Sequence, residues 1–247
     1  MCLIALAYRA SARYPLVVAA NRDESHARPT AAAAWWPDAP DVLGGRDLVA
    51  GGTWLAVDRG GRFAAVTNIR DESHSVDSAR RSRGLLVNDY LSNAQSAEEF
   101  AAAAALAGPR FGPFNMLVLD SHSLCYTSNR AAPRELGTGL HALSNIEHGV
   151  AWPKITRATR RLGEVLDEAE PSDALFALLA ERGIPRTGRE DHRSSLFQLN
   201  PSWGTRSSTV VLVDSAGRTR FLERTYDPAG KTTGEVEFEF EVRGSTA

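Results

Sequence analysis

The stretch MCLIALAYRASARYPLVVAANRDE, residues 1–24, contains two nearly continuous apolar runs, 2–8 and 15–21, joined by a polar segment over 9–14. A strand with one wet face alternates apolar and polar residues along its length. These runs barely alternate, which suits strands covered on both faces. Further strands are expected over 53–58 and 62–68, with Arg59-Gly60-Gly61 as the hairpin turn between them. The segment 82–106 reads as two helices, the second carrying the alanine run 101–105.

A second hairpin, 114–120 with 123–127, is followed by helices over 154–168 and 172–182, with Pro171 at the break and Ser172 as N-cap. The polar stretch 183–200 reads as loop. Strands resume over 207–214, 218–226 and 235–242. The last of these, EVEFEFEV, puts Val236, Phe238, Phe240 and Val242 on one face and an acidic row on the other, as an edge strand would. Strands, then helices, then strands joined by hairpins predict antiparallel sheets with helices on their outer faces, in one α+β domain spanning 1–247.

At 247 residues, 43% apolar and 23% charged, the chain should bury a core that needs no disulfide or metal staple. Its 28 basic and 30 acidic residues give a net charge of -2 and no electrostatic case for a nucleic-acid partner. Lys154 and Lys231 are the only lysines, which reads as compositional bias. Two cysteines, no secretory leader pattern and no apolar run of membrane length make a soluble cytoplasmic protein the expectation. The six histidines show no metal-binding spacing, and neither a serine-nucleophile elbow nor a phosphate loop is present. No metal or cofactor is required by these motifs.

Cys2 is the residue with chemical promise. Loss of Met1 would give it both a sulfur nucleophile and an α-amine able to serve as its base; otherwise it is a small apolar residue among others. A turn centred between Ala12 and Arg13 pairs residues with i + j = 25, setting Cys2 opposite Asp23. Asn21 then shares the face of Cys2 and Arg22 points away, and a slip of one residue exchanges those roles. Asn21 and Arg22 are candidate substrate contacts. So are Trp35 and Trp36, which either pack over the core or line a pocket for a flat or lipidic ligand.

The stretches AANRDESHARPT, SRGLLVNDYL, GPFNMLVLD, HALSNIEHGVAWPK and GTRSSTVVLVD, in this order along the chain, resemble the NRDE family of transport and Golgi organisation proteins. That family is in turn similar to N-terminal nucleophile hydrolases of the choloylglycine and penicillin acylase branch. The resemblance implies a four-layer αββα sandwich of two mostly antiparallel sheets. It implies Cys2 as nucleophile, Asp23 as the acid beside its amine, Asn68 and Asn145 on the oxyanion and substrate side, and Arg206 as a supporting charge. It also implies an amide hydrolase or acyl-transferase acting on a small or lipidic substrate. The alternative it carries is a non-catalytic haem- or lipid-handling protein on the same fold, with haem as a ligand. One departure stands out: the acylase branch has an arginine three residues before its aspartate, where this chain has Ala20.

Overall fold

The computed structural model of the chain describes residues 2–70, 80–166, 168, 170–183 and 194–243; His74 and His192 lie outside them. The strands are β1 (Leu3–Tyr8), β2 (Leu16–Ser25), β3 (Thr30–Trp36), β4 (Ala39–Asp47), β5 (Leu55–Asp58), β6 (Phe63–Asn68), β7 (Phe114–Leu119), β8 (Leu124–Ser128), β9 (Arg134–Leu136), β10 (Gly139–Ser144), β11 (Trp203–Val213), β12 (Arg218–Tyr226) and β13 (Thr232–Glu241). Helices α1 (Gly84–Leu91) and α2 (Ala97–Leu106) follow β6, and α3 (Pro153–Val165) and α4 (Pro171–Leu179) follow β10. One sheet runs in the order β10-β1-β2-β11-β12-β13 and the other in the order β3-β4-β5-β6-β7-β8-β9. Every pairing within the two sheets is antiparallel.

Side chains from alternate positions explain the layering. Ile4, Leu6 and Val18 of the first sheet meet Leu55, Phe63 and Leu117 of the second in the central core. Leu3, Ala5, Val17 and Ala19 face the other way, against Leu162 of α3 and Leu175 of α4. Ala64, Met116 and Val118 lie under Leu86 of α1 and Phe100 of α2. The result is helix, sheet, sheet, helix: the four-layer αββα sandwich that the resemblance implied. Both β1 and β2 are central and covered on both faces, which is why their sequences lack alternation.

The structure corrects the reading of the first hairpin. Leu3 pairs with Asn21 and Tyr8 with Leu16, so i + j is 24 rather than 25. Asn21 therefore faces α4, and Arg22 shares the inner face of Ile4. Residues 30–47 also form a hairpin, β3 with β4, where no clear strand was legible. Pro37, Pro40 and the pair Gly44-Gly45 interrupt its pattern. Both glycines tolerate no side chain: a Cβ on Gly45 would lie 2.4 Å from the Trp54 ring, and one on Gly44 2.7 Å from the Leu55 carbonyl. Helix α4 begins at Pro171 with Glu170, not Ser172, at the N-cap position.

The terminal strand has the predicted form. Among the described residues β13 pairs only with β12, and its Glu235, Glu237 and Glu239 meet Arg224, Arg220 and Arg218 at 3.0, 2.8 and 3.7 Å. Phe238 and Phe240 turn inward, and the Trp35 ring stands edge-on to Phe240 with centroids 5.0 Å apart.

Candidate active site

Cys2 lies where the ends of β2, β6 and β10 converge. The segment after β10 ties the two sheets together there: Thr67 Oγ1 donates to the Ser144 carbonyl at 2.9 Å, and Asn115 Nδ2 donates to the carbonyls of Ser144 and Ile146 at 3.1 and 2.7 Å. Ser144 Oγ in turn donates to the Cys2 carbonyl at 2.8 Å. A cavity of about 630 Å³ opens at this point, lined by Cys2, Asp23, Asn68 and Asn145 together with Arg70, Arg83, Gln198, Asn200 and Trp203.

Cys2 is half-buried at the cavity wall. Its sulfur accepts from the Asp23 backbone N–H at 3.4 Å, and the S–H donates to the Asp23 carbonyl at 3.5 Å. The Asp23 carboxylate points to the helix side of the sheet and is wholly enclosed. Thr205 Oγ1 donates to its Oδ1 at 2.6 Å, and that hydroxyl accepts from the Gln198 N–H at 2.9 Å. Lys154 Nζ stands 3.6 Å from Oδ2, both side chains having no exposed surface. A charge taken out of water needs this kind of pairing to persist.

Across the cavity, Asn145 Nδ2 donates to the carbonyl of Asn68 at 2.8 Å and also to its Oδ1. Two acceptors on one side fix the orientation of the Asn145 amide. Its Oδ1 is left buried without a hydrogen-bond partner among the described residues. Asn68 itself is exposed at the end of β6, and its Nδ2 donates to none of the described residues.

Burial pushes the Cys2 thiol above its ordinary value, the Asp23 charge adds to this, and Arg22 opposes both. Burial likewise pulls Lys154 down, while Asp23 and then Cys2 hold its proton on. Arg22 is pulled down by burial and held up first by Cys2, then by Glu24 and Asp47. A thiol in this setting needs a base close by to become a nucleophile at neutral pH.

Cys2, Asp23, Asn68 and Asn145 are thus brought together. Arg22 lines an adjoining cavity of about 190 Å³ that shares Cys2, its guanidinium 4.7 Å from the centre of the Trp54 ring. Four other sequence candidates are not brought to the main cavity. Asn21 is enclosed between sheet and helix, its Nδ2 donating to the carbonyls of Leu179 and Leu196 at 2.9 Å. Arg206 is the extra residue of a bulge, since Thr205 pairs with Asp23 and Ser207 with Arg22. Bulges re-aim side chains, and Arg206 donates to the carbonyls of Ser25 and Arg28 at 2.8 and 3.1 Å instead. Trp35 packs at the sheet edge, and Trp36 donates from Nε1 to the Gly44 carbonyl at 2.9 Å beneath the other helices.

Sequence reading missed Lys154, Thr205, Gln198, Arg70, Arg83 and Trp203. For Lys154 a signal existed: it is one of two lysines in a chain whose other basic residues are arginine. Among the described residues, no group of three His, Cys, Asp or Glu side chains is disposed to hold a metal ion, and no helix is long and apolar enough to cross a membrane.

The two antiparallel sheets with flanking helices define the N-terminal nucleophile hydrolase fold. Solved structures agree: an N-acylethanolamine-hydrolyzing acid amidase ortholog from Caenorhabditis elegans superposes with a TM-score of 0.55 at 14% identity, covering 85% of this chain and 92% of its own. A conjugated bile acid hydrolase from Clostridium perfringens does so with a TM-score of 0.50 at 11% identity, covering 100% and 94%. Within that fold the chain belongs to the Transport and Golgi organisation 2 family, whose model matches residues 1–228. It is 32% identical to the Transport and Golgi organization protein 2 homolog of Bos taurus over 91% of this chain and 92% of the relative, and 30% identical to that of Homo sapiens over 85% and 86%.

Proposed function

We propose that this chain, once Met1 is removed, is an amide hydrolase or acyl-transferase whose nucleophile is the Cys2 thiol. The observation carrying the reading is the meeting of Cys2 Sγ, the Asp23 backbone and the Asn68–Asn145 pair at one open cavity. The neighbouring fold members include a hydrolyzing amidase and a hydrolase described as a variant with alanine for cysteine at its position two, which supports attention to the same position here.

In the proposed reaction the α-amine of Cys2 takes the thiol proton, directly or through water, and Sγ attacks the substrate carbonyl carbon. Asn68 Nδ2 donates to the oxygen as it gains negative charge, a contribution of about 2.7–4 kcal/mol in comparable sites. The unpartnered Oδ1 of Asn145 accepts from the substrate N–H. The tetrahedral intermediate collapses, the C–N bond breaks, and the leaving amine takes the proton held by the α-amine. Water, or an acceptor nucleophile, then attacks the thioester and returns the thiol.

A panel of amides and acyl thioesters assayed against the Met1-free chain and its Cys2→Ala variant tests this. Turnover by the first and none by the second is expected. Equal turnover by both removes Cys2 as nucleophile. Saturable binding of a lipid or haem with no turnover of any probe would favour the carrier alternative instead.

A further inference from the structure

Lys154 and Asp23 form a pair with no exposed surface on either side chain, directly behind the residue that would become the amino terminus. The register of β1 with β2, continued past Leu3–Asn21, sets Cys2 opposite Arg22, with its sulfur 3.4 Å from the Asp23 backbone nitrogen. Once Met1 is removed, the α-amine of Cys2 would begin the chain beside Asp23, whose backbone Cys2 Sγ already touches and whose carboxylate Lys154 holds. Thr205 fills the other carboxylate oxygen.

We propose that Lys154 is a positioning residue for the amino-terminal nucleophile: by sharing Asp23 with the α-amine of Cys2, it makes that amine the group that gives up its proton, leaving it a free base at neutral pH. The role presupposes the Cys2 reading above. Two amines and one enclosed carboxylate cannot all stay charged cheaply, because a like charge disfavours protonation and burial disfavours a net charge. The amine with the lower intrinsic proton affinity then yields: an ordinary α-amine at about 7.7–8.0 lies well below an ordinary lysine at about 10.4, and against the burial that lowers Lys154, Asp23 and Cys2 hold its proton on. Among the described residues, the titratable groups acting on Lys154 are Asp23 on β2 and the Cys2 thiol ahead of β1, and both favour its charged form. Arg22, on the opposite face of β2 from Asp23, acts on the thiol. The division is sensible chemistry: Arg22 favours the thiolate, and Lys154 favours the neutral amine that makes it.

The α-amine can be titrated directly. Chains beginning at residue 2, released from a cleavable fusion and carrying Cys2→Ala so that sulfur does not react, are acetylated competitively across the neutral range. The N-terminal peptide is quantified by mass spectrometry. With Lys154 present the amine should titrate below its ordinary value. With Lys154→Met, Asp23 has the α-ammonium as its replacement counter-charge, and amine reactivity at neutral pH should fall about tenfold or more, one pKa unit. Identical titrations overturn the proposal. Should Lys154→Met fail to fold, the first chain decides alone: an amine titrating at or above its ordinary value overturns it. Amide turnover by the Cys2-bearing chain is a separate readout. A shifted amine without turnover removes the acyl-transfer reading and keeps the electrostatic role of Lys154; turnover with an unshifted amine does the reverse.

Discussion

Arg22 shares the inner face of the first sheet, and the positive charge of its guanidinium favours the Cys2 thiolate by Coulombic attraction. The acylase branch places an arginine where this chain has Ala20; here a residue two positions further on approaches the thiol by virtue of the register. That attraction is weaker than the burial and the Asp23 charge that raise the thiol. In the chain that keeps Met1, Cys2 should therefore alkylate more slowly at neutral pH than an unhindered cysteine and speed up on the alkaline side. A neutral-pH rate equal to that of a free thiol, read by mass spectrometry, would contradict this. Replacing Asn68 by alanine removes the exposed carboxamide donor and should lower kcat by about 10²–10³ with little change in KM. An unchanged kcat would take Asn68 out of the oxyanion role. Proximity of Cys2 to the NRDE stretch was legible because chain closure enforces it. The face each residue takes was not, since parity reverses with a one-residue slip and the turn over 9–14 does not set the register.

At the scale of elements, the bulge at Arg206 and the carboxyl of Glu223 carry separate consequences. Arg206 braces the turn after β2 through two carbonyls. Arg206→Ala should cost about 1–3 kcal/mol of stability and leave kcat near that of the parent. A collapse of kcat with stability intact would return Arg206 to the chemistry. Glu223 on β12 crosses between the sheets, its Oε1 accepting from the Ala33 N–H of β3 at 2.7 Å. Burial pushes its carboxyl up from 4.5 to about 7, against the hydrogen bonds that favour the ion. Between those values the folded chain holds a proton that the unfolded chain has lost. The resulting stability is complete below about 4.5 and declines as pH rises through about 7. The total is on the order of 3 kcal/mol, at about 1.36 kcal/mol per pH unit. Glu223→Gln should flatten that part of the stability profile and leave the variant more stable than its parent on the alkaline side. An unchanged profile in denaturant titrations would contradict it. Neither feature was visible in the sequence: a bulge depends on the partner strand, and Glu223 is buried only because β3 covers it. The hairpin of β3 and β4 stayed hidden because its prolines and paired glycines break the strand pattern, while the close approaches that require those glycines, Trp54 on Gly45 and the Leu55 carbonyl on Gly44, are tertiary.

The whole molecule keeps its two sheets in register at the cavity through Asn115. This enclosed side chain donates to the Ser144 and Ile146 carbonyls and accepts from the Tyr126 hydroxyl at 2.8 Å. Asn115→Ala takes the partner from the Ile146 carbonyl and from the Tyr126 hydroxyl, while Thr67 still donates to the Ser144 carbonyl, and should cost about 3 kcal/mol, measured by chemical denaturation. A loss below about 1 kcal/mol would show that the sheets are held at this end by other contacts. The layered architecture was largely legible from the unalternating first strands and the order of the elements. The rarity of lysine marked Lys154, but its place beside Asp23 was not legible, because the docking of α3 on the first sheet encloses it there. Every part of the proposed chemistry depends on which atom begins the chain. Intact mass and N-terminal peptide mapping of the protein purified from its own host tests that most directly: the account predicts a mass short of one methionine with Cys2 first, and Met1 retained on most molecules would contradict it.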